Sequence, residues 1–206
     1  MLDIGCGRGG LIELLHGQVG LAVGVDPDRR SLREHRAPVV HRASGLAEHL
    51  PFPDESFDLV ICSWVFEHLA RPQRVFAEVA RVLQSPDPAA ARPGGHLVFL
   101  APNAWHPLTW TGRLLGRLGY WQTRLVTRLY DRAEADTFPV VYRANTRRRV
   151  ERLAATAGLV PVSFHTVGDP TYLAFNELFY HLAVLAERLT PRWMKVHLVG
   201  DLIKGA

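Results

Sequence analysis

Short apolar runs alternate with helically spaced apolar positions over the first hundred residues, a rhythm that predicts βαβ units and a parallel sheet covered on both faces. The runs Met1 to Ile4, Leu21 to Val25, Val39 to His41, Phe57 to Cys62 and His96 to Ala101 read as strands. Between the last two, Val75, Phe76, Val79, Val82 and Leu83 recur at i, i+1, i+4, i+7 and i+8, with Arg74, Glu78 and Arg81 on the opposite face. That spacing predicts an amphipathic helix. The Pro- and Gly-rich stretch from Ser85 to Gly95 reads as an exposed loop.

After Asn103 a Trp- and Arg-rich helical stretch running to about Asp131 breaks the rhythm, as a helical cap inserted over the sheet would. Thr146 then offers an N-cap, Val150, Leu153 and Ala154 form an apolar stripe, and Gly158 suits a helix C-terminus. Val160 to Val167 and Val196 to Ile203 read as two final strands. Phe175, Leu178, Phe179, Leu182, Leu185 and Leu189 mark a helix between them, whose stripe is expected to pack into the core. With no internal repeat and no long linker, residues 1–206 are expected to form a single doubly wound α/β domain.

Composition narrows the classes. A chain of 206 residues that is 48% hydrophobic, with a mean hydropathy of zero, is neither disordered nor fibrous. No stretch approaches the roughly 18 uncharged apolar residues of a membrane span. Asp3 stands where a secretory leader would carry cations, so the expected location is cytoplasmic. Cys6 and Cys62 are too few for a disulfide framework and lie in no CxxC pair, so both are expected to be reduced and structural. The net charge of +4 is unevenly shared: residues 1–102 carry 10 Arg against 12 acids, and residues 103–206 carry 14 cations against 8. No RNP, helix-turn-helix, zinc-finger or KH pattern accompanies that charge, and no nucleic-acid partner is expected.

The chemistry concentrates in Leu2-Asp-Ile-Gly-Cys-Gly-Arg-Gly-Gly10, at the end of the first strand and ahead of a helix, where an open α/β sheet binds its ligand. Gly5, Gly7 and Gly9 satisfy G-x-G-x-G, and Gly5, Gly7 and Gly10 satisfy G-x-G-x-x-G, so the glycines alone do not choose a cofactor. Asp26, ending the second strand, is placed to accept from ribose hydroxyls, which also suits more than one cofactor class. A tight turn with a helix N-cap would need the same glycines.

Asp3 within the first strand, Leu50-Pro-Phe-Pro-Asp-Glu-Ser-Phe-Asp-Leu-Val60 and Trp64-Val-Phe-Glu-His68 add to this pattern, followed by Glu78, Arg81-Val-Leu83 and Pro93-Gly-Gly95. Over about residues 1–104 the chain resembles the class I S-adenosylmethionine-dependent methyltransferases, specifically the small-molecule type-11 group that includes the ubiquinone and menaquinone biosynthesis enzymes. The resemblance implies a Rossmann-like sheet, mostly parallel with an antiparallel last strand. Residues 1–102 would be the cofactor-binding half, 103–143 the cap, and 144–206 the C-terminal helix and last strands.

It further implies S-adenosyl-L-methionine as cofactor. Asp3 and the loop Gly5-Cys6-Gly7 to Gly9 would hold its amino-acid end, and Asp26 with the adjoining Pro27 its ribose. Ala47 and Glu48 would lie beside the adenine, and Ser63 would line the methionine side. Where the family carries an Asp ahead of that Ala, this chain has Leu46, which leaves backbone or Glu48 to receive the adenine amino group. The family also carries one or two helices upstream of the first strand, so further chain is expected ahead of Met1.

Methyl transfer chiefly requires alignment, and an oxygen nucleophile must also lose a proton, which a histidine can accept at neutral pH. His68 is the first candidate and His106 the second, although Glu67-His68 would equally serve to cap the following loop. His41, His49 and His165 have no ligand-like spacing, and no metal is expected. Arg113, Arg117, Arg124 and Arg128 fall on one face of a helix that carries Leu114, Leu118, Trp121 and Leu125 on the other. Such a helix can be a solvated surface, attract a phosphate- or carboxylate-bearing acceptor, or rest on an anionic membrane to meet a lipid-linked one. Trp105, Trp110 and Trp121 are candidates to line an apolar acceptor pocket. The activity expected is methyl transfer to a small or lipid-linked acceptor, at oxygen rather than carbon. The alternatives are an NAD(P)-dependent oxidoreductase sharing the glycine loop and a truncated, non-catalytic cofactor-binding domain.

Overall fold

A computed structural model describes residues 1–116, 139–173 and 176–205. Among these, seven strands form one sheet in the order β3-β2-β1-β4-β5-β7-β6. They are β1 (Leu2–Ile4), β2 (Val23–Asp26), β3 (His41–Ser44), β4 (Leu59–Ser63), β5 (His96–Pro102), β6 (Leu159–Val167) and β7 (His197–Lys204). The first five run parallel, and β7 is antiparallel to both β5 and β6, as the expected fold class requires. The helices are α1 (Leu11–Leu15), α2 (Arg29–Arg33), α3 (Pro72–Val82), α4 (Pro107–Gly116), α5 (Arg147–Thr156) and α6 (Glu177–Leu189).

Strand periodicity explains why both faces are dry. In β1 and β4, Leu2, Ile4, Val60 and Cys62 join a core with Phe66, Phe76, Phe99, Val150 and Leu153. Ile61, pointing the other way, joins Met1, Cys6, Ile12, Leu32 and Val40. The Phe66 and Phe99 rings stack at 4.9 Å, and Gly200, which pairs with Phe99 across β5 and β7, leaves room that a Cβ would take from the Phe99 ring. Caps fall where the sequence places them: Thr146 Oγ1 accepts the Arg149 amide at 3.3 Å, and Gly158 sits at φ +76° after α5.

Two expectations change. The third strand is His41–Ser44 and not Val39 to His41. Val40 is buried and closes a turn onto the Ala37 carbonyl, whereas Val39 is exposed, so Val40 alone anchors the entry to an edge strand of which His41, Arg42 and Ser44 face solvent. The stripe on α6 does not pack into the core either. Leu178, Leu182, Leu185 and Leu189 are exposed, Ala183 is the buried residue of the helix, and α6 packs chiefly on the 3₁₀ turn Pro170–Leu173. A helix, α4, follows β5 where the helical stretch was expected, and Arg117, Leu118, Trp121, Arg124, Leu125 and Arg128 lie outside the described residues.

Candidate active site

The loop after β1 needs glycine for two different reasons. Gly5 (φ +77°) donates to the Val25 carbonyl at 2.8 Å, and a Cβ there would stand 2.4 Å from Val65 Cγ2. Gly7 (φ +49°) has nothing within 4 Å of the same position, so its backbone borders open space that a ligand can approach. The Gly7 amide donates to Asp26 Oδ2 at 2.9 Å, and the Asp28 amide to Oδ1 at 2.8 Å. Buried Asp26 therefore binds the glycine loop to the end of β2. Asp28 in turn caps α2, and Pro27 between them is exposed. The side chain of Cys6 turns inward against Gly24, so what Cys6 presents to the loop is backbone, and burial followed by the charges of Asp3 and Asp26 pushes its thiol up to about 12. Cys6 and Cys62 are both free and buried.

Asp3 is buried under this loop. Desolvation pushes its carboxyl up to about 7, the nearby Asp26 charge adds to the rise, and a hydrogen bond from the Ile12 amide opposes it. An acid held this way is poised to ionise when a cation arrives.

On the other side of the sheet crossing, Leu50 to Asp54 is clamped from α3. Glu78 accepts the Leu50 amide at 2.8 Å, while Arg81 donates to the carbonyls of Leu50 and Phe52 at 3.0 and 2.8 Å and to Asp54 Oδ1 at 2.8 Å. Glu78 and Arg81 also pair with each other at 2.8 Å. The clamp holds the preceding turn, where Leu46 is exposed, Ala47 is partly buried and Glu48 faces Arg71, which donates its amide to Oε1 at 3.2 Å and its guanidinium to Oε2 at 2.7 Å. Glu48 is thus engaged by Arg71, while Ala47 packs against the core and Leu46 is 54% exposed.

Beyond half-buried Ser63 at the end of β4, Trp64 adopts φ +59°. Its ring meets that of His197 edge-on at 5.1 Å, while Val65 packs on Gly5, so this turn links the glycine loop to a histidine cluster at the C-terminal end of β5. His197 Nε2 lies 3.2 Å from the Tyr172 hydroxyl. His106 Nδ1 accepts the Leu108 amide at 3.2 Å, and its Nε2 lies 4.0 Å from Glu187 Oε2. Burial pulls both His106 and His197 below the ordinary histidine value. His68, in the 3₁₀ turn Phe66–His68, places Nδ1 3.0 Å from the Pro139 carbonyl and Nε2 4.0 Å from Glu67 Oε1. Because a carbonyl only accepts, Nδ1 of His68 carries the proton in the neutral ring and Nε2 carries the lone pair.

Residues 2–99 match the family model described as a methyltransferase domain. The chain is 36% identical over 128 residues to an uncharacterised methyltransferase of Mycolicibacterium vanbaalenii, a match that takes in 57% of the chain and 46% of the relative. It is 36% identical over 110 residues to phthiotriol/phenolphthiotriol dimycocerosates methyltransferase 1 of Mycobacterium ulcerans, covering 48% of the chain and 36% of that protein. These matches span half or less of the relatives' length. Among solved structures, the S-adenosylmethionine-dependent methyltransferase of Mesorhizobium loti superposes with a TM-score of 0.64 at 16% identity, covering 98% of this chain and 89% of the other.

Sequence reasoning named the elements that border the glycine loop and missed the groups that the C-terminal segment brings to the Trp64 side of it. His197 on β7 lies opposite Pro102 of β5, and it brings with it Tyr172 of the 3₁₀ turn Pro170–Leu173, while Glu187 of α6 joins His106 to Lys195. No spacing within the chain signals that pairing. Trp64 carried a signal only as part of the Trp64 to His68 motif.

Proposed function

We propose that this chain transfers a methyl group from S-adenosyl-L-methionine to an oxygen of a small or lipid-linked acceptor. The observation that carries the reading is the junction of Asp26 with Gly7: a buried carboxylate at the end of β2 fixes a left-handed glycine whose outer side is open. A bulky cofactor fits against that surface, with Asp26 accepting from its ribose, Asp3 facing its ammonium end, and Leu46 and Ala47 beside its adenine. Bound S-adenosylmethionine supplies an electrophilic methyl group on a sulfonium.

The chain's own residues have to position the acceptor and take its proton. His68 is the residue we assign as the base, its ring oriented by the hydrogen bond between Nδ1 and the Pro139 carbonyl. In neutral His106, Nδ1 accepts the Leu108 amide and the proton therefore sits on Nε2, so this ring acts by holding the start of α4 in place. The named activity of the Mycobacterium ulcerans relative supports a lipid-linked acceptor, and so does the exposed apolar side of α6. That side would rest on an anionic membrane. Sedimentation with anionic liposomes at low salt, weakened by Leu182→Glu, tests the contact.

The transfer itself is tested by incubating the chain with carbon-13-methyl S-adenosylmethionine and an extracted lipid pool. A labelled product whose methyl carbon has the chemical shift of a methoxy group supports the reading, and a C-methyl product contradicts transfer to oxygen. Absence of any labelled product from a chain that binds the cofactor would contradict a lipid-linked acceptor.

A further inference from the structure

A cleft of about 1010 Å³ opens between β6, the start of α5 and the 3₁₀ turn Arg192–Met194. Neither the glycine loop nor Asp26 lines it, so it is distinct from the cofactor surface. Its walls are fixed from beneath. The buried Asn103 side chain donates to the carbonyls of Trp193 and Lys195 at 2.9 and 2.8 Å, and Thr166 Oγ1 donates to the Arg192 carbonyl at 2.6 Å.

Arg147, Arg148, Arg192 and Lys195 line the cleft, and among the described residues no Asp or Glu does. Two of the four cations are spoken for. Arg147 pairs with Glu151 at 2.7 Å and lies 5.1 Å over the Phe164 ring, and Lys195 pairs with Glu187 at 3.1 Å. Arg148 and Arg192 have no acidic partner among the described residues. Beside them Trp105 and Trp193 stand edge-on with centroids 6.4 Å apart and are 60% and 61% exposed.

A solvated basic face needs neither concavity nor indoles. Here like charges share one recess, where low-dielectric walls focus the field, next to aromatic surface that water covers poorly. Guanidinium forks match phosphate oxygens, and aromatic walls match a flat or apolar body. We propose that this cleft binds a phosphate-bearing ligand with an aromatic or apolar body, through Arg148 and Arg192 at the phosphate and Trp105 and Trp193 at the body. The site rests on the cleft alone and stands apart from methyl transfer.

Isothermal titration of the full chain with phenyl phosphate, inorganic phosphate and phenyl glucoside tests it. Phenyl phosphate is expected to bind most tightly, inorganic phosphate more weakly, and the uncharged glucoside not at all. The double variant Arg148→Gln/Arg192→Gln should weaken phenyl phosphate about tenfold or more, as loss of charge-assisted hydrogen bonds does. Arg152→Gln, on an exposed position of α5 outside the cleft, should leave it unchanged. Trp193→Ala should weaken phenyl phosphate and spare inorganic phosphate. Vesicles of phosphatidic acid in phosphatidylcholine separate the sources: displacement of phenyl phosphate by the vesicles supports a lipid headgroup as the ligand, and binding of phenyl phosphate without displacement supports a soluble phosphate ester. Failure of phenyl phosphate to bind at millimolar concentration overturns the proposal, as does equal binding by the folded double variant.

Discussion

The Asp26 carboxylate accepts the Gly7 amide at 2.9 Å, and this one contact joins the ends of β1 and β2 across 19 residues of chain. The two glycines flanking Cys6 then make different demands, and substitution separates them. Gly7→Ala places a methyl group in open space at a left-handed φ, which should cost about 1 kcal/mol of stability while blocking the cofactor's approach. Gly5→Ala drives a Cβ to 2.4 Å from Val65 Cγ2 and should cost about 2 to 4 kcal/mol. Urea denaturation with parallel cofactor titration distinguishes them: the Gly7 variant is expected to fold without binding, and the Gly5 variant to lose stability first.

Asp3 sets a pH dependence. Its carboxyl is raised from 3.8 to about 7 by burial, so the folded chain holds this proton more tightly than the unfolded chain does. Its contribution to stability is therefore fully present below pH 3.8 and lost progressively as pH rises to about 7, on the order of 4 kcal/mol in all. Asp3→Asn should raise the melting temperature at pH 8 and weaken S-adenosylmethionine. In the unsubstituted chain the cofactor's ammonium favours ionised Asp3, so affinity should fall as pH drops below about 7, with proton release on binding. Titration in two buffers of different ionisation enthalpy measures that release, and a pH-independent affinity would remove Asp3 from the site.

Arg81 holds three groups of the Leu50 to Asp54 segment from a position 27 to 31 residues away. Arg81→Ala should destabilise the chain by about 2 kcal/mol, since two partly buried carbonyls lose a charged donor. Chemical denaturation checks the loss, and Arg81→Lys, which lacks the fork, should recover less than half of it.

These side chains also mark the boundary of what sequence reading reached. The periodicity of Val75 to Leu83 correctly placed α3 and set Glu78 and Arg81 on its polar side. It could not show that this polar side folds over a neighbouring loop. Asp3, the glycines and Asp26 were legible because a βαβ unit is local, and Thr146 and Gly158 because caps are local too. Val39 and Val40 misplaced β3, since an edge strand has little apolar pattern of its own. The α6 stripe has a helical period whether it meets a core or solvent, so periodicity identified the helix and misjudged its surroundings. His197 and Lys195 depend on an antiparallel pairing between β5 and β7 that brings together segments about a hundred residues apart.

The two histidine candidates make opposite predictions. His68→Ala should lower kcat roughly 10²- to 10⁴-fold and leave the cofactor's dissociation constant unchanged, as loss of a general base does. His106→Ala should lower the melting temperature and change kcat far less, because it removes an acceptor for the Leu108 amide. Steady-state kinetics with thermal melts of both variants decide between them, and the reverse pattern would assign the base to His106.

Isothermal titration of the chain with S-adenosylmethionine, S-adenosylhomocysteine and NADH, repeated for Asp26→Ala, tests the central claim most directly. The account predicts that both sulfur compounds bind, that NADH does not, and that Asp26→Ala loses binding because ribose recognition and the loop anchor disappear together. Binding of NADH in preference to the sulfur compounds, or undiminished S-adenosylmethionine binding by a folded Asp26→Ala chain, would contradict it.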